Sequence, residues 1–239
     1  PRAALKDDRW ELYHVAEDFS CSQDLAQQRP DKLKEMQALF ASQATANQVF
    51  PLDDRTLERF DAAAVGRPDL MRGRNSVTLP GSAAGIPENC FLNIKNRSHR
   101  ITARVTVPQS QAEGVLIAQG GRFGGWSLYC KQGKPAYQYN FLGLDRYIVR
   151  SGEMLKPGEH LIEVDFAFDG KPGGGGTASL LVDGKTVASG RVDKTQAVMF
   201  STDETLDVGC DDATNVSDEF ENCDNHFSGR IEDVRVDLR

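Results

Sequence analysis

"ITARVTV", residues 101–107, decides the fold. Ile101, Ala103, Val105 and Val107 alternate with Thr102, Arg104 and Thr106. That period of two sends apolar side chains to one face of an extended strand and polar ones to the other. Residues 159–168, EHLIEVDFAF, repeat the pattern, with Ile162, Val164, Phe166 and Phe168 inward and Glu163 and Asp165 outward. VLIA (115–118), WSLYC (126–130), AYQYNF (136–141), RYIV (146–149), ASLLV (178–182) and RIEDVRVDL (230–238) follow, separated by glycine-rich or Asp-Gly corners. Asp183-Gly184 is the strongest hairpin signal, because a type I′ turn needs positive φ at both central residues. Many short strands with no helical period among them predict a mainly β chain, an antiparallel β-sandwich over residues 93–239. GKPGGGG, 170–176, reads as a flexible connection between two strands.

GGRFGG, 120–125, raises the question of a ligand-cradling loop. A phosphate loop needs GxxxxGK[ST] opening a helix, whereas here Gly125 is followed by Trp126 and a strand pattern. With no helix N-terminus there is no dipole for a phosphate, so the glycines read as a tight β corner. Arg122, Trp126 and Tyr129 are nevertheless the candidate ligand-binding residues, since aromatics on an exposed sheet face stack on sugar rings. Against that, aromatics are only 8% of the chain and the core competes for Trp126, Tyr129, Tyr137, Tyr139 and Phe141.

Before the alternating region, Arg29-Pro30-Asp31 starts a helix, with Leu33, Met36, Leu39 and Phe40 at helical spacing to about Ala46. WELYHVAEDFSCSQDL, 10–25, reads as a short strand or turn. Residues 51–92 show no sustained period and read as an extended connection.

The net charge of -7 and the pI near 5.2 leave no basic surface for a nucleic acid or an anionic membrane. No apolar run is long enough to span a bilayer, and PRAALKDDRW lacks the apolar core of a signal peptide. Cytoplasm and periplasm both fit these features. Cysteines 21, 90, 130, 210 and 223 form no CxxC pair; Cys130 reads as buried, and Cys210 and Cys223 as thiols or, in an oxidising compartment, a bridge. The four histidines lack metal-ligand spacing, and no serine sits in a GxSxG elbow.

Two acidic features remain. Glu163 and Asp165 share a strand face, as a glycosidase pair would, but Ala167 stands where a further acid is expected, so solvated carboxylates are the simpler expectation. DETLDVGCDDATNVSDEFENCD, 203–224, carries nine carboxylates and no lysine or arginine. Ca²⁺ would relieve such repulsion, with Asp207, Asp211, Asp212 and Asp218 as candidate ligands; a solvated acidic loop is the alternative.

Longer strings resemble a known family. WELYHVAEDFS (10–20), Asp24-Leu25, the helix and Pro51-Leu52-Asp53-Asp54-Arg55 resemble the end of the sulfatase domain in bacterial arylsulfatases. KNRSH (95–99), AEGVL (112–116), AQGGRFGGWSLY (118–129), YNFLG (139–143) and FSxDETxDVG (200–209) continue the resemblance over nearly the whole chain. It implies the C-terminal region of an arylsulfatase: residues 1–50 a strand and helix of the catalytic domain, 51–92 a linker, and 93–239 a concanavalin-like or laminin-G-like jelly roll. The family's nucleophile, a formylglycine made from the cysteine of C-x-P-x-R, works on a divalent cation in an upstream domain. Here the cysteines begin CSQ, CFL, CKQ, CDD and CDN, so this chain alone is expected to be inactive. The implied partners are the upstream catalytic domain, in the same polypeptide or a dimer mate, and a sulfated glycan. A lectin-like carbohydrate- or calcium-binding sandwich is the alternative, and a glycosidase the third reading.

Overall fold

A computed structural model describes residues 5–239 apart from 54, 57, 59–61, 110, 222 and 223. The chain divides into two compact units, Pro1–Arg67 and Pro68–Arg239.

The first unit contains α1 (Pro30–Ala46), with proline in the first turn as the sequence predicts, and a one-turn helix, α2 (Ala62–Val65). Of the strand or turn offered above, residues 10–25 take turns and form no strand. A single backbone bond, Leu25 N–H to Leu12 O at 2.7 Å, ties the segment's ends, and Asp24 Oδ1 accepts the Leu12 and Ala26 N–H groups. Those bonds hold the Asp24 carboxyl below the usual carboxylate range. Trp10 packs edge-on to Phe40 at 5.5 Å, and Phe40 to Phe50 at 6.1 Å. Among the described residues of this unit, Ala44 alone is buried.

The second unit is an antiparallel sandwich of two six-stranded sheets. Its strands are β1 (Ser76–Pro80), β2 (Ile86–Pro87), β3 (His99–Val107), β4 (Gly114–Gly121), β5 (Gly124–Lys131) and β6 (Lys134–Phe141). They continue with β7 (Asp145–Arg150), β8 (Gly158–Phe168), β9 (Gly176–Val182), β10 (Lys185–Val192), β11 (Thr205–Val208) and β12 (Arg230–Leu238). One sheet runs β1-β12-β3-β8-β9-β10 and the other β2-β11-β4-β5-β6-β7. The segment 51–92, read as one extended connection, is thus divided: β1 pairs with β12 and β2 with β11. Both strands are too short for periodicity to register, and long-range pairing supplies what local pattern lacks.

The first sheet obeys the alternation. Ile101, Ala103, Val105, Val107, Ile162, Val164 and Phe166 all face the core, and Val234 and Val236 join them from β12. On the outer face Arg100 pairs with Glu163 and Asp165, Arg239 with Asp165, and Arg104 with Asp233. Asp183 (φ 51°) and Gly184 (φ 78°) form the expected hairpin between β9 and β10. In the glycine run, a Cβ on Gly176 would lie 2.4 Å from the Phe166 ring. That position is therefore glycine for close approach, and Thr195 Oγ1 donates to Gly174 O at 2.6 Å to fix the neighbouring backbone.

The second sheet breaks the alternation, because β4, β5 and β6 are buried on both faces. Leu116, Ile117, Trp126, Leu128, Cys130, Tyr137 and Tyr139 fill the interior. A bulge between Val115 and Ile117 brings Leu116 and Ile117 into the same core. The opposite face, with Val115, Ala118, Tyr129 and Ala136, is covered by Val216 and Phe220 from the acidic tract. Leu128→Ala, at a side chain with no exposed surface, is expected to lower the unfolding free energy by about 2–5 kcal/mol in urea titration. Thr177→Ala on the exposed face is expected to change it by less than about 0.5 kcal/mol.

Candidate functional site

GGRFGG is the β4–β5 hairpin. Gly120 opposes Gly125, both at positive φ, and a Cβ on either would strike backbone oxygen of the other strand at 2.2 and 2.1 Å. No larger side chain fits that corner. The geometry pushes Arg122 and Phe123 outward, and Phe123 is 76% exposed.

The three ligand-binding candidates are not brought together. Arg122 stands at the exposed tip, whereas Trp126 is fully buried and donates from Nε1 to Gln119 Oε1 at 3.0 Å. Tyr129 lies beneath the acidic tract, edge-on to Phe220 at 5.5 Å, and its hydroxyl takes a bond from Arg150. Burial pushes the Tyr129 hydroxyl above its ordinary range. The same physics pushes the buried Cys130 thiol up to about 12, which leaves no thiolate nucleophile there at neutral pH.

The sequence missed the tip's support. Asn140, completely buried on β6, donates from Nδ2 to Gly121 O and Arg122 O, both at 2.9 Å, and accepts the Gly143 N–H on Oδ1 at 2.9 Å. It thereby clamps the β4–β5 tip to the β6–β7 tip. Leu142 and Leu144 stand exposed on the β6–β7 tip, Leu144 at 77%. The one signal available was an asparagine interrupting the aromatic run Tyr139–Phe141.

The acidic tract is a strap packed on the second sheet, and the solvated-loop expectation is corrected. Val216 and Phe220 are its apolar anchors. Around them Gln138 Nε2 donates to Val216 O at 3.1 Å, Arg150 pairs with Glu219, Arg146 lies 3.0 Å from Asp218, and Lys131 sits over the Phe220 ring. Two apolar anchors four residues apart among nine carboxylates leave hydropathy averages low, which hid them.

The four candidate metal ligands take different roles. Asp207 is buried and accepts the Gly85 N–H at 2.7 Å and the Thr205 hydroxyl at 2.8 Å. Asp211 accepts the Val216 N–H at 2.8 Å, Asp212 is exposed, and Asp218 faces Arg146. Among the described residues no three His, Cys, Asp or Glu side chains are placed to share a metal ion. The Cys210–Cys223 pairing lies outside the described residues. Glu163 and Asp165 are both engaged by Arg100, the arrangement of an ion-pair network on a sheet surface.

No protein-family model matches the chain, and no curated protein sequence matches it. Among solved structures, the sandwich is similar to the Ruminococcus gnavus IT-sialidase CBM40 bound to alpha2,3 sialyllactose. The identity is 12% over 69% of this chain and 91% of that one, with a TM-score of 0.46. It is similar to mouse laminin alpha1 chain domains LG4-5 at 14% identity, over 69% and 39%, with a TM-score of 0.40. A heptameric SAP-like pentraxin from Limulus polyphemus gives 13% identity, 68% and 76%, and 0.40. The chain is mainly β, a sandwich of two antiparallel sheets.

Asp211 gives the strap a pH signature. Burial first, then the Asp207, Glu204 and Asp212 charges, raises its pKa from 3.8 to about 8, against the Val216 N–H that lowers it. The folded state therefore holds a proton that the unfolded chain releases. Its stabilising contribution is complete below the unfolded pKa and is lost as pH rises through about 8. Asp211→Asn keeps an acceptor for Val216 and cannot ionise. Thermal melts between about pH 5 and pH 9 should show the native protein losing stability with pH relative to this variant; parallel curves would place Asp211 ionised in the fold.

Proposed function

We propose that the chain is a non-catalytic part of a larger arylsulfatase-like sulfuric ester hydrolase, and that its first unit completes the surface of the upstream catalytic domain. One observation carries this reading. The described residues of the first unit include a Trp10–Phe40–Phe50 contact yet leave Val15, Phe19, Met36, Leu39, Val49 and Leu52 exposed, Phe19 at 90%. With one buried residue among those described, a unit of this size lacks the core that would hold it alone. A turn segment and helix that pack on a neighbouring domain need that exposed apolar face, and the family strings WELYHVAEDFS and PLDDR lie in this unit. The C-x-P-x-R nucleophile motif is not in the chain.

A second reading concerns the sandwich: it holds a carbohydrate. The observation favouring it is the exposed aromatic and aliphatic group Phe123, Leu142 and Leu144, fixed by the buried Asn140 and flanked by Arg122. Exposed apolar side chains held on a polar frame mark a recognition surface.

For the first reading, the chain is expected to leave 4-nitrophenyl sulfate intact in the presence of Ca²⁺ or Mg²⁺. It is also expected to enhance the fluorescence of an apolar dye, and the combined substitution Phe19→Ser, Met36→Ser and Leu39→Ser should abolish most of that enhancement. Turnover of the ester, or dye binding indifferent to the three substitutions, would contradict it.

A further inference from the structure

The two tips that meet at Asn140 make a corner with unusual chemistry. A Cβ built on Gly143 would lie 3.1 Å from Arg122 O and 3.9 Å from Phe123 Cδ1, so the β6–β7 tip lies directly against Phe123. Leu142 (φ 56°) and Gly143 (φ 70°) hold left-handed conformations, and the Thr214 hydroxyl accepts the Arg122 N–H at 3.0 Å. The backbone beneath Phe123 is thus fixed from both sides. A ring presented this way loses little conformational entropy when a ligand arrives.

Polar pairs border this apolar platform. β7 begins Asp145-Arg146, whose side chains diverge: Asp145 faces Lys194 at 3.5 Å, and Arg146 faces Asp218 at 3.0 Å. The Glu204 carboxylate is taken up by the Thr214 hydroxyl at 2.6 Å. The Arg122 guanidinium makes no hydrogen bond or ion pair among the described residues. The corner therefore offers an aromatic ring, a rim of donors and acceptors, and a cation without a partner. A pyranose carrying one acidic group matches all three: its C–H face suits the ring, its hydroxyls the rim, and its acid the guanidinium. A purely apolar partner would leave Arg122 desolvated and unpaired.

We propose that this corner, residues 121–124 and 142–146, is a binding site for an acidic oligosaccharide, with a sugar ring on Phe123 and its carboxylate or sulfate at Arg122. The inference rests on the carbohydrate reading above and assigns that reading a place and a charge.

The test is an amide NMR titration of the full chain with three probes: a uronic-acid disaccharide, a galactose-sulfate disaccharide and lactose. The expected result is shifts confined to the two tips, tighter binding of an acidic probe than of lactose, and a preference between the acids that identifies the group. Phe123→Ala should weaken all binding by roughly tenfold or more, and Arg122→Ala should bring acidic and neutral probes to equal affinity. Both side chains are exposed, so neither variant disturbs the core. Binding that persists unchanged in both variants would overturn the corner while leaving the carbohydrate reading standing. Binding of none of the three sugars by the native chain would overturn both.

Discussion

Every other feature of the sandwich depends on one constraint: the central strands of the second sheet are apolar on both faces and must be covered on both. Leu116, Ile117, Trp126 and Leu128 meet the first sheet's Ile101, Val105, Ile162 and Val164 across the interior. Each such side chain contributes roughly 1.5–3 kcal/mol by leaving water. Tyr129, Ala118 and Ala136 on the reverse face would stay wet without Val216 and Phe220. The strap is consequently part of the fold, and its carboxylates are distributed among Arg146, Arg150 and backbone donors because its anchors require it to lie there.

That double coverage also governs where chemistry is possible. The central positions of the second sheet are filled on both faces, and the first sheet's outer face is tied up in Arg–Asp and Arg–Glu pairs. Access is left at the strand ends, where turns supply positive φ and side chains escape the core. The buried histidine fits the same picture. His99, stacked on Phe166 at 5.1 Å, has its pKa lowered to about 4 by burial and acts as a neutral packing group.

The sequence carried the architecture wherever period and position coincide. α1, the alternation of β3 and β8, the Asp183-Gly184 hairpin and the GGRFGG corner were all legible, because each depends on neighbours along the chain. β1, β2 and β11 were hidden: their pairing partners lie over a hundred residues away in the case of β1 and β12, and their composition is ordinary. The burial of two of the candidate site residues was hidden for a related reason. Trp126 and Tyr129 lie on opposite faces of one strand, and nothing local says that both faces are covered. The exposure of Arg122 was legible from the loop, whereas Asn140, which bonds its backbone, resembles any strand polar residue until its three bonds are seen.

A self-sufficient, strap-covered sandwich follows, in the chain, a unit that we propose needs a partner. Hydrogen exchange followed by mass spectrometry on the intact chain tests it most directly. The account predicts slow exchange in β3, β5, β6 and β8, protection extending to Val216–Phe220, and rapid exchange throughout α1. Protection of α1 equal to that of the sheets, or free exchange across the strap, would contradict it.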